Sequence, residues 1–191
     1  MKKSEKIFVV VALFALLLKL FRIPGNSVFL ILSLSLLSIV YYFGFLLFNN
    51  IRLRDIFKKS SYANTSQKKI VGSVALGFAL AAIVSGILFK LQIWPGGDNM
   101  LLSGLTFLAL ILTIAIISNQ FKKSDFFRRI YYRGFIIGSL GILILFTPTT
   151  TLIDIYFRHD KEYGEKMKET LENPYDQKLQ QELQELRENK K

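Results

Sequence analysis

The chain has 191 residues, of which 51% are hydrophobic and 20% are charged, and its formal net charge is +11. Such a basic charge is typical of nucleic-acid-binding proteins, but here the basic residues lie in short connections between long apolar segments, which is where membrane proteins carry them. We therefore do not expect nucleic acid as a partner. The chain contains no cysteine, which excludes disulfides, thiolate chemistry and haem attached through thiols.

Five apolar segments are predicted to be membrane-spanning helices, because about 20 apolar residues cross a hydrocarbon core of about 30 Å. In chain order they are 7–23, 28–48, 71–89, 100–117 and 134–153. The first contains Lys19 and Arg22 near its end, and the other four contain no charged residue. The predicted fold is all-α, a polytopic membrane protein with two tandem transmembrane hairpins, a fifth transmembrane helix and a charged helical tail.

Two connections between these segments share one order of residues. Lys19 corresponds to Lys90 and Pro24 to Pro95, and the shift is 71 positions in both cases (90 − 19 and 95 − 24). Proline cannot continue a helix and glycine adopts backbone conformations that other residues avoid, so each Pro-Gly pair predicts a tight antiparallel hairpin. The turn positions to which we assign a structural or coupling role are Lys19, Pro24, Gly25, Lys90, Trp94, Pro95, Gly96 and Gly97.

The two lysines and the tryptophan of these turns have an expected place at the membrane surface. Lys19 and Lys90 lie in the last turn of their helices, where the helix dipole favours a cation. Their long side chains are expected to extend towards the lipid head groups. Trp94 is expected at the membrane interface, which tryptophan prefers.

The charge of the connections predicts the orientation. The linker 49–69 and the loop 118–133 are basic, and short cytoplasmic loops carry an excess of Lys and Arg. We expect the N-terminus and both basic segments in the cytoplasm, and the Pro-Gly turns and the C-terminal tail on the other side. The predicted organisation is a first hairpin at 1–48, the linker at 49–69, a second hairpin at 70–117, the loop at 118–133, the fifth helix at 134–157 and the tail at 158–191.

Three local features leave alternatives open. Asp98 either pairs with Lys90 across the turn or caps the next helix, and its position just before an apolar run favours the cap. The G-x-x-x-G spacing at 134–138 allows close helix approach within the molecule or between molecules. The tail forms two short amphipathic helices around the Asn-Pro pair at 173–174, or remains a partly disordered charged segment.

No arrangement for conventional catalysis is recognisable. His159 is the single histidine, and the chain has no nucleophile elbow and no phosphate-cradling glycine loop. We expect no enzymatic activity, no cofactor and no metal. No Asp or Glu lies inside the five apolar segments, whereas proton relays ordinarily keep an ionisable group at membrane depth. The expected partners are the lipid bilayer and other membrane proteins, or a second copy of this chain.

The second turn and its flanks resemble the N-terminal membrane hairpin of the GldL-like gliding-motility proteins. The residues that carry the resemblance are G-I-L-F-K-L-Q-I-W-P-G-G at 86–97, followed by Met-Leu at 100–101 and Gly-Leu at 104–105. The family turn reads approximately G-x-L-F-K-I-x-H-W-P-G, so Lys90 matches the family lysine and Ile93 replaces the family histidine. The match covers about fifty residues, and 18–26 is a more diverged copy.

The resemblance implies a bacterial inner-membrane protein of a motor complex that works with a partner and uses proton flow. The family's membrane-embedded glutamate falls on Leu108 or a close neighbour, or on Leu37 in the first copy, and neither copy has a carboxylate nearby. We therefore expect a scaffold or assembly component with its tail in the periplasm. The alternative is an accessory subunit of an ion-driven motor or transporter that uses Lys90 and Lys19.

Overall fold

The computed structural model describes residues 2–188 apart from 22, 24, 50, 52, 56, 63, 64 and 118–124. All regular secondary structure in this part of the chain is helical, as predicted. The helices are α1 (Lys2–Leu20), α2 (Asn26–Tyr42), α3 (Gly44–Asn49), α4 (Gln67–Leu91), α5 (Gly97–Ile117), α6 (Asp125–Phe146), α7 (Thr149–Tyr156), α8 (Lys161–Glu172) and α9 (Gln177–Glu188). Short 3₁₀ turns occupy Leu53–Asp55 and Lys59–Tyr62 in the linker.

Helix α4 lies at the centre of the bundle and packs against α2, α3, α5 and α6. Leu76, Leu80 and Ile83 of this helix are fully buried. Close backbone approach is possible because α4 carries small residues: a Cβ placed on Gly86 would lie 2.8 Å from the backbone nitrogen of Leu101 in α5. In an apolar environment helices associate through such close packing rather than through removal of apolar surface from water.

Two helices are long and apolar enough to cross a membrane, namely Lys69–Leu91 and Gly97–Ile117. A third span results if Ile130–Leu145 and Thr149–Tyr156 are counted as one, although they are bent by 82°. Much of the apolar surface of the bundle is exposed, as on α5, where the exposed side chains include Leu102, Phe107, Leu110 and Ile114. The all-helical fold is thus compatible with a helical membrane protein of two or three spans, judged on the described residues.

The predicted second span, 28–48, is not one continuous helix. Helix α2 has 17 residues and ends at Tyr42, and α3 begins after Phe43. At this break a Cβ on Gly44 would lie 3.0 Å from the Cα of Gly77. The backbone at Gly44 therefore packs directly against the backbone of α4. Glycine is a poor helix former, and here it permits that crossing where the helix is interrupted.

The predicted fifth helix, 134–157, is also divided, and its continuity was wrongly predicted. Helix α6 already begins at Asp125 and ends at Phe146, and α7 leaves it at 82°. Pro148 lies at the bend, lacks a backbone N–H and restricts the residue before it, so α6 cannot continue through it. The basic loop predicted at 118–133 is correspondingly shorter, since 125–133 are helical and 118–124 lie outside the described residues.

The tail forms a helical hairpin, which is the first of the two alternatives. Asp160 accepts a hydrogen bond from the backbone N–H of Tyr163 and so caps α8. Lys166 of α8 pairs with Glu182 of α9 at 2.7 Å, and Lys168 pairs with Asp154 of α7 at 2.6 Å. These contacts fold α9 onto α8 and fix α8 to α7.

Candidate functional site

The glycines of the two Pro-Gly turns, which lie 71 residues apart, have similar backbone φ values. Gly25 and Gly96 have φ values of 82° and 86°, in the left-handed region that favours glycine. The backbone N–H of Ile23 donates to the carbonyl of Leu18 at 3.1 Å, and that of Trp94 donates to Phe89 at 2.8 Å. The turns are thus alike in bonding as well as in residue order.

The other turn residues singled out in the sequence are placed as follows. Pro95 is exposed, and Gly97 begins α5 with its Cα so near α4 that a Cβ would lie 2.8 Å from the backbone nitrogen of Lys90. Pro24 lies outside the described residues. Trp94 is 42% exposed and packs edge-on against Phe89, with ring centroids 5.2 Å apart.

Lys19 is buried, contrary to the expectation that it extends towards lipid head groups. Only 9% of the surface of this residue is exposed. The ammonium donates to the carbonyl of Leu91 and to Oε1 of Gln92, both at 2.7 Å. It also lies 4.7 Å from the ring centroid of Tyr156 in α7. Lys19 therefore joins the first hairpin to the end of α4.

Lys90 is buried as well, with 4% exposure, and it joins the second hairpin to α6. Its ammonium donates to the carboxylate of Asp98 and, at 2.8 Å, to the carbonyl of Leu145. Asp98 lies inside the first turn of α5 rather than before it. The favoured prediction that Asp98 caps this helix was therefore wrong, and the pairing alternative is the one observed.

The two lysines make the same kind of contact, which is a hydrogen bond to the C-terminal end of another helix. Lys19 on α1 donates to a carbonyl in the last turn of α4, and Lys90 on α4 donates to a carbonyl in the last turn of α6. The last carbonyls of a helix have no partner within it and carry the negative end of its dipole. Each lysine thus stabilises the C-terminal end of another helix of the bundle. Gln92 adds a bond between the two turns, since its Nε2 donates to the carbonyl of Ser27 at 3.1 Å.

The far end of the bundle contains a buried ionic group that the sequence did not suggest. Glu5 of α1 is 7% exposed and accepts hydrogen bonds from Arg133 of α6 at both oxygens, at 2.5 and 2.6 Å. The hydroxyl of Tyr41 in α2 donates to the same carboxylate at 3.2 Å. A bidentate guanidinium pair of this kind is strong and directional. It joins three helices at the start of the first hairpin.

Leu108, where the family resemblance places a glutamate, is a packed core residue. It is buried in α5, and a Cβ on Gly138 of α6 would lie 2.9 Å from its Cδ2. A Cβ on Gly134 would lie 3.3 Å from its Cδ1. The G-x-x-x-G spacing at 134–138 is therefore used within the molecule, where its two glycines make room for the leucine.

His159 is exposed and accepts a hydrogen bond from Nε of its neighbour Arg158 at 3.0 Å. In the part of the chain that the structure describes, no three His, Asp or Glu side chains are grouped so that they could hold a metal ion.

Comparison of the chain with models of protein families, with curated proteins and with solved structures gave no match. The contacts described above bring Lys19, Gln92, Trp94 and Tyr156 together at one end of the bundle and place Glu5 with Arg133 at the other.

Proposed function

We propose that this chain is a non-enzymatic integral protein of the bacterial inner membrane that acts as a scaffold or assembly component of a membrane complex. The proposal depends on one observation: buried ionisable groups connect neighbouring helices through hydrogen bonds at both ends of the bundle. Lys19 and Lys90 bind carbonyls of neighbouring helices, and Glu5 holds Arg133. Ionisable groups that are held in such contacts favour a structural role for the protein over a role in moving charge.

The two hairpins are, in this proposal, copies of one unit of the GldL-like type. The shared residue order, the left-handed Gly25 and Gly96, and the matching turn hydrogen bonds support a common origin. In the family the second helix of the hairpin carries a membrane-embedded glutamate. The leucine at 108, packed between glycines, supports a structural role without proton transfer for this copy.

The proposed topology has five membrane crossings, made by α1, by α2 with α3, by α4, by α5 and by α6. The tail lines a cavity together with residues of both turns, so it lies at the same end of the bundle as they do. This supports a cytoplasmic N-terminus and a periplasmic tail. Alkaline phosphatase fused after Lys191 is expected to be active, and the same enzyme inserted after Ser60 in the linker inactive. The reverse pattern would contradict the topology.

The tail hairpin is the proposed contact with a partner protein. Helix α9 has no buried residue among those described, and Tyr175 at the tip of the hairpin is 95% exposed. Full-length protein purified from native membranes is expected to retain a partner, identified by mass spectrometry, that is lost when residues 163–191 are deleted. Equal membrane abundance of both forms is the control. Retention of the same partner by the truncated form would exclude the tail as the contact.

A second candidate function, an accessory subunit of an ion-driven motor or transporter, is favoured by the buried ammonium of Lys90, which pairs with the exposed carboxylate of Asp98. Proton flux into proteoliposomes discriminates the two functions. The scaffold proposal predicts no flux above that of empty liposomes. Flux that is abolished by Lys90→Ala and unaffected by Lys178→Ala, which removes an exposed lysine of α9, would support the motor and contradict the scaffold.

A further inference from the structure

A cavity of about 660 Å³ lies between the first hairpin, the end of α4 and the C-terminal tail. Its lining combines polar groups of the turn region with groups from α7, α8 and α9. The lining residues that matter for its chemistry are Lys19, Ser27, Trp94, Tyr156, Asp160 and Arg187. The volume is within the range of small-molecule sites, about 300–1,000 Å³.

The two equivalent lysines differ in their counter-charge. Lys90 pairs with Asp98, whereas the position equivalent to Asp98 in the first turn, 71 residues earlier, is Ser27. The contacts of the Lys19 ammonium within the described residues are with uncharged groups, namely Leu91, Gln92 and the Tyr156 ring. A buried charge is costly unless it is paired. The first copy therefore keeps the buried cation and lacks the carboxylate that neutralises it in the second.

Tyr156, which also lines the cavity, carries a buried hydroxyl without a hydrogen-bond partner in the described part of the chain. The residue as a whole is 7% exposed. Buried hydroxyls are nearly always hydrogen-bonded, so such an atom calls for an explanation. Arg187 of α9 adds an exposed guanidinium to the lining. Asp160 contributes the one carboxylate among the lining residues, and it is engaged in capping α8.

We propose that this cavity binds an oxyanion, the phosphate ester of an amphiphile, with Lys19, the Tyr156 hydroxyl and Arg187 as its hydrogen-bond donors. The anion replaces the carboxylate that Asp98 supplies at the second turn. An amphiphile fits because apolar side chains, among them Met167 and Leu186, complete the lining. Anionic lipid head groups and soluble phosphate esters share this chemistry. The inference does not depend on the scaffold role.

Trp94 lines the cavity and is the single tryptophan of the chain, so its fluorescence reports binding directly. Full-length protein in an uncharged maltoside detergent is titrated with short-chain phosphatidylglycerol, with short-chain phosphatidylcholine and with glycerol 3-phosphate. A saturable change is expected with phosphatidylglycerol, at concentrations well below those at which phosphatidylcholine acts. A saturable response to glycerol 3-phosphate as well would identify the phosphate ester itself as sufficient.

Two variants test the donors. Ser27→Asp supplies the missing carboxylate to Lys19 and is expected to weaken phosphatidylglycerol binding by about tenfold or more, without loss of thermal stability. Arg187→Ala, on an exposed position, is expected to weaken it by about tenfold, since one charge-assisted hydrogen bond is lost. Lys178→Ala removes the same charge elsewhere on α9 and is expected to bind as the wild type does.

The proposal is overturned if the wild type gives no saturable response to phosphatidylglycerol or to glycerol 3-phosphate, or responds equally to phosphatidylglycerol and to the zwitterionic phosphatidylcholine. It is also overturned if Arg187→Ala and Lys178→Ala bind as tightly as the wild type. Should Ser27→Asp fail to fold, the comparison of the two α9 variants still decides the outcome.

Discussion

Replacing Arg133 with methionine tests whether the buried ion pair holds α6 against α1. The side chains of Arg133 and Glu5 are 17% and 10% exposed, and two hydrogen bonds join them. Without the guanidinium, the Glu5 carboxylate keeps its desolvation penalty and loses its counter-charge. Breaking a buried pair in this way costs about 3–5 kcal/mol. The partial exposure of Arg133 favours the lower end of that range, and methionine retains most of the packing of the arginine stem.

The change is measured by thermal unfolding of the full chain in an uncharged detergent, followed by far-UV circular dichroism. For a chain of this size 1 kcal/mol shifts Tm by about 2–4 °C, so a loss of about 3 kcal/mol lowers Tm by roughly 6–12 °C. Arg158→Met is the matched control, because Arg158 is exposed and donates to its neighbour His159. An exposed substitution of this kind is expected to change stability by no more than about 0.5 kcal/mol.

A double-mutant cycle with Glu5→Gln decides whether the loss comes from the pair. If Glu5 and Arg133 stabilise each other, the double variant Glu5→Gln/Arg133→Met is less destabilised than the sum of the two single variants by about 1–3 kcal/mol. Effects that add to within about 0.5 kcal/mol would refute the reasoning and show that Arg133 contributes through packing alone.

Three further predictions follow from the described contacts. Gly96→Ala places a side chain at a φ of 86° and is expected to cost about 1–2 kcal/mol in thermal unfolding, whereas Gly72→Ala, which meets no atom within 4 Å, is expected to be neutral or stabilising. Gly86→Leu places a large side chain between α4 and α5 and pushes the two helices apart, so it is expected to abolish the recovery of folded monomer on size-exclusion chromatography. Gly72→Leu is expected to leave that recovery unchanged. The Lys166 ammonium lowers the pKa of Glu182, so this pair stabilises the tail above the unfolded-state pKa of Glu182 and is lost as the pH falls through the lower folded-state pKa. Hydrogen exchange of α9, corrected for its intrinsic pH dependence, is expected to speed up below about pH 4 in the wild type and to lose this dependence in Lys166→Ala.

The features that the sequence predicted are those set by residues close together in the chain. The two turns follow from Pro-Gly pairs at the ends of apolar runs. The tail hairpin, one of two alternatives that the sequence left open, agrees with the apolar spacing on either side of the Asn-Pro pair at 173–174. Local rules decide such elements, because the conformation of Gly25 or Gly96 depends on a few neighbouring residues.

The features that the sequence missed are set by contacts between distant segments. Glu5 and Arg133 are 128 residues apart, and Lys19 lies 72 residues from its acceptor Leu91. From the sequence alone each was an isolated charge near the end of an apolar run, for which the membrane surface was the simplest expectation. The break at Phe43 has the same origin, since it occurs where Gly44 crosses Gly77 of another helix.

The difference between the two turns is the feature that most constrains function. A hydrogen-bonded contact between two helices needs only the lysine and the carbonyl that it binds, and both turns have this pair. The carboxylate of Asp98 neutralises the ammonium at the second turn. At the first turn Ser27 occupies the equivalent position, and within the described residues the Lys19 ammonium has no carboxylate partner and the nearby Tyr156 hydroxyl has no hydrogen-bond partner. If both turns served only to hold helices together, Ser27→Asp would improve the first one and remove nothing. If the first turn binds an anion from outside the chain, the same substitution raises the stability of the protein and lowers its affinity for the ligand. These opposite changes in stability and affinity distinguish a binding site from a structural contact.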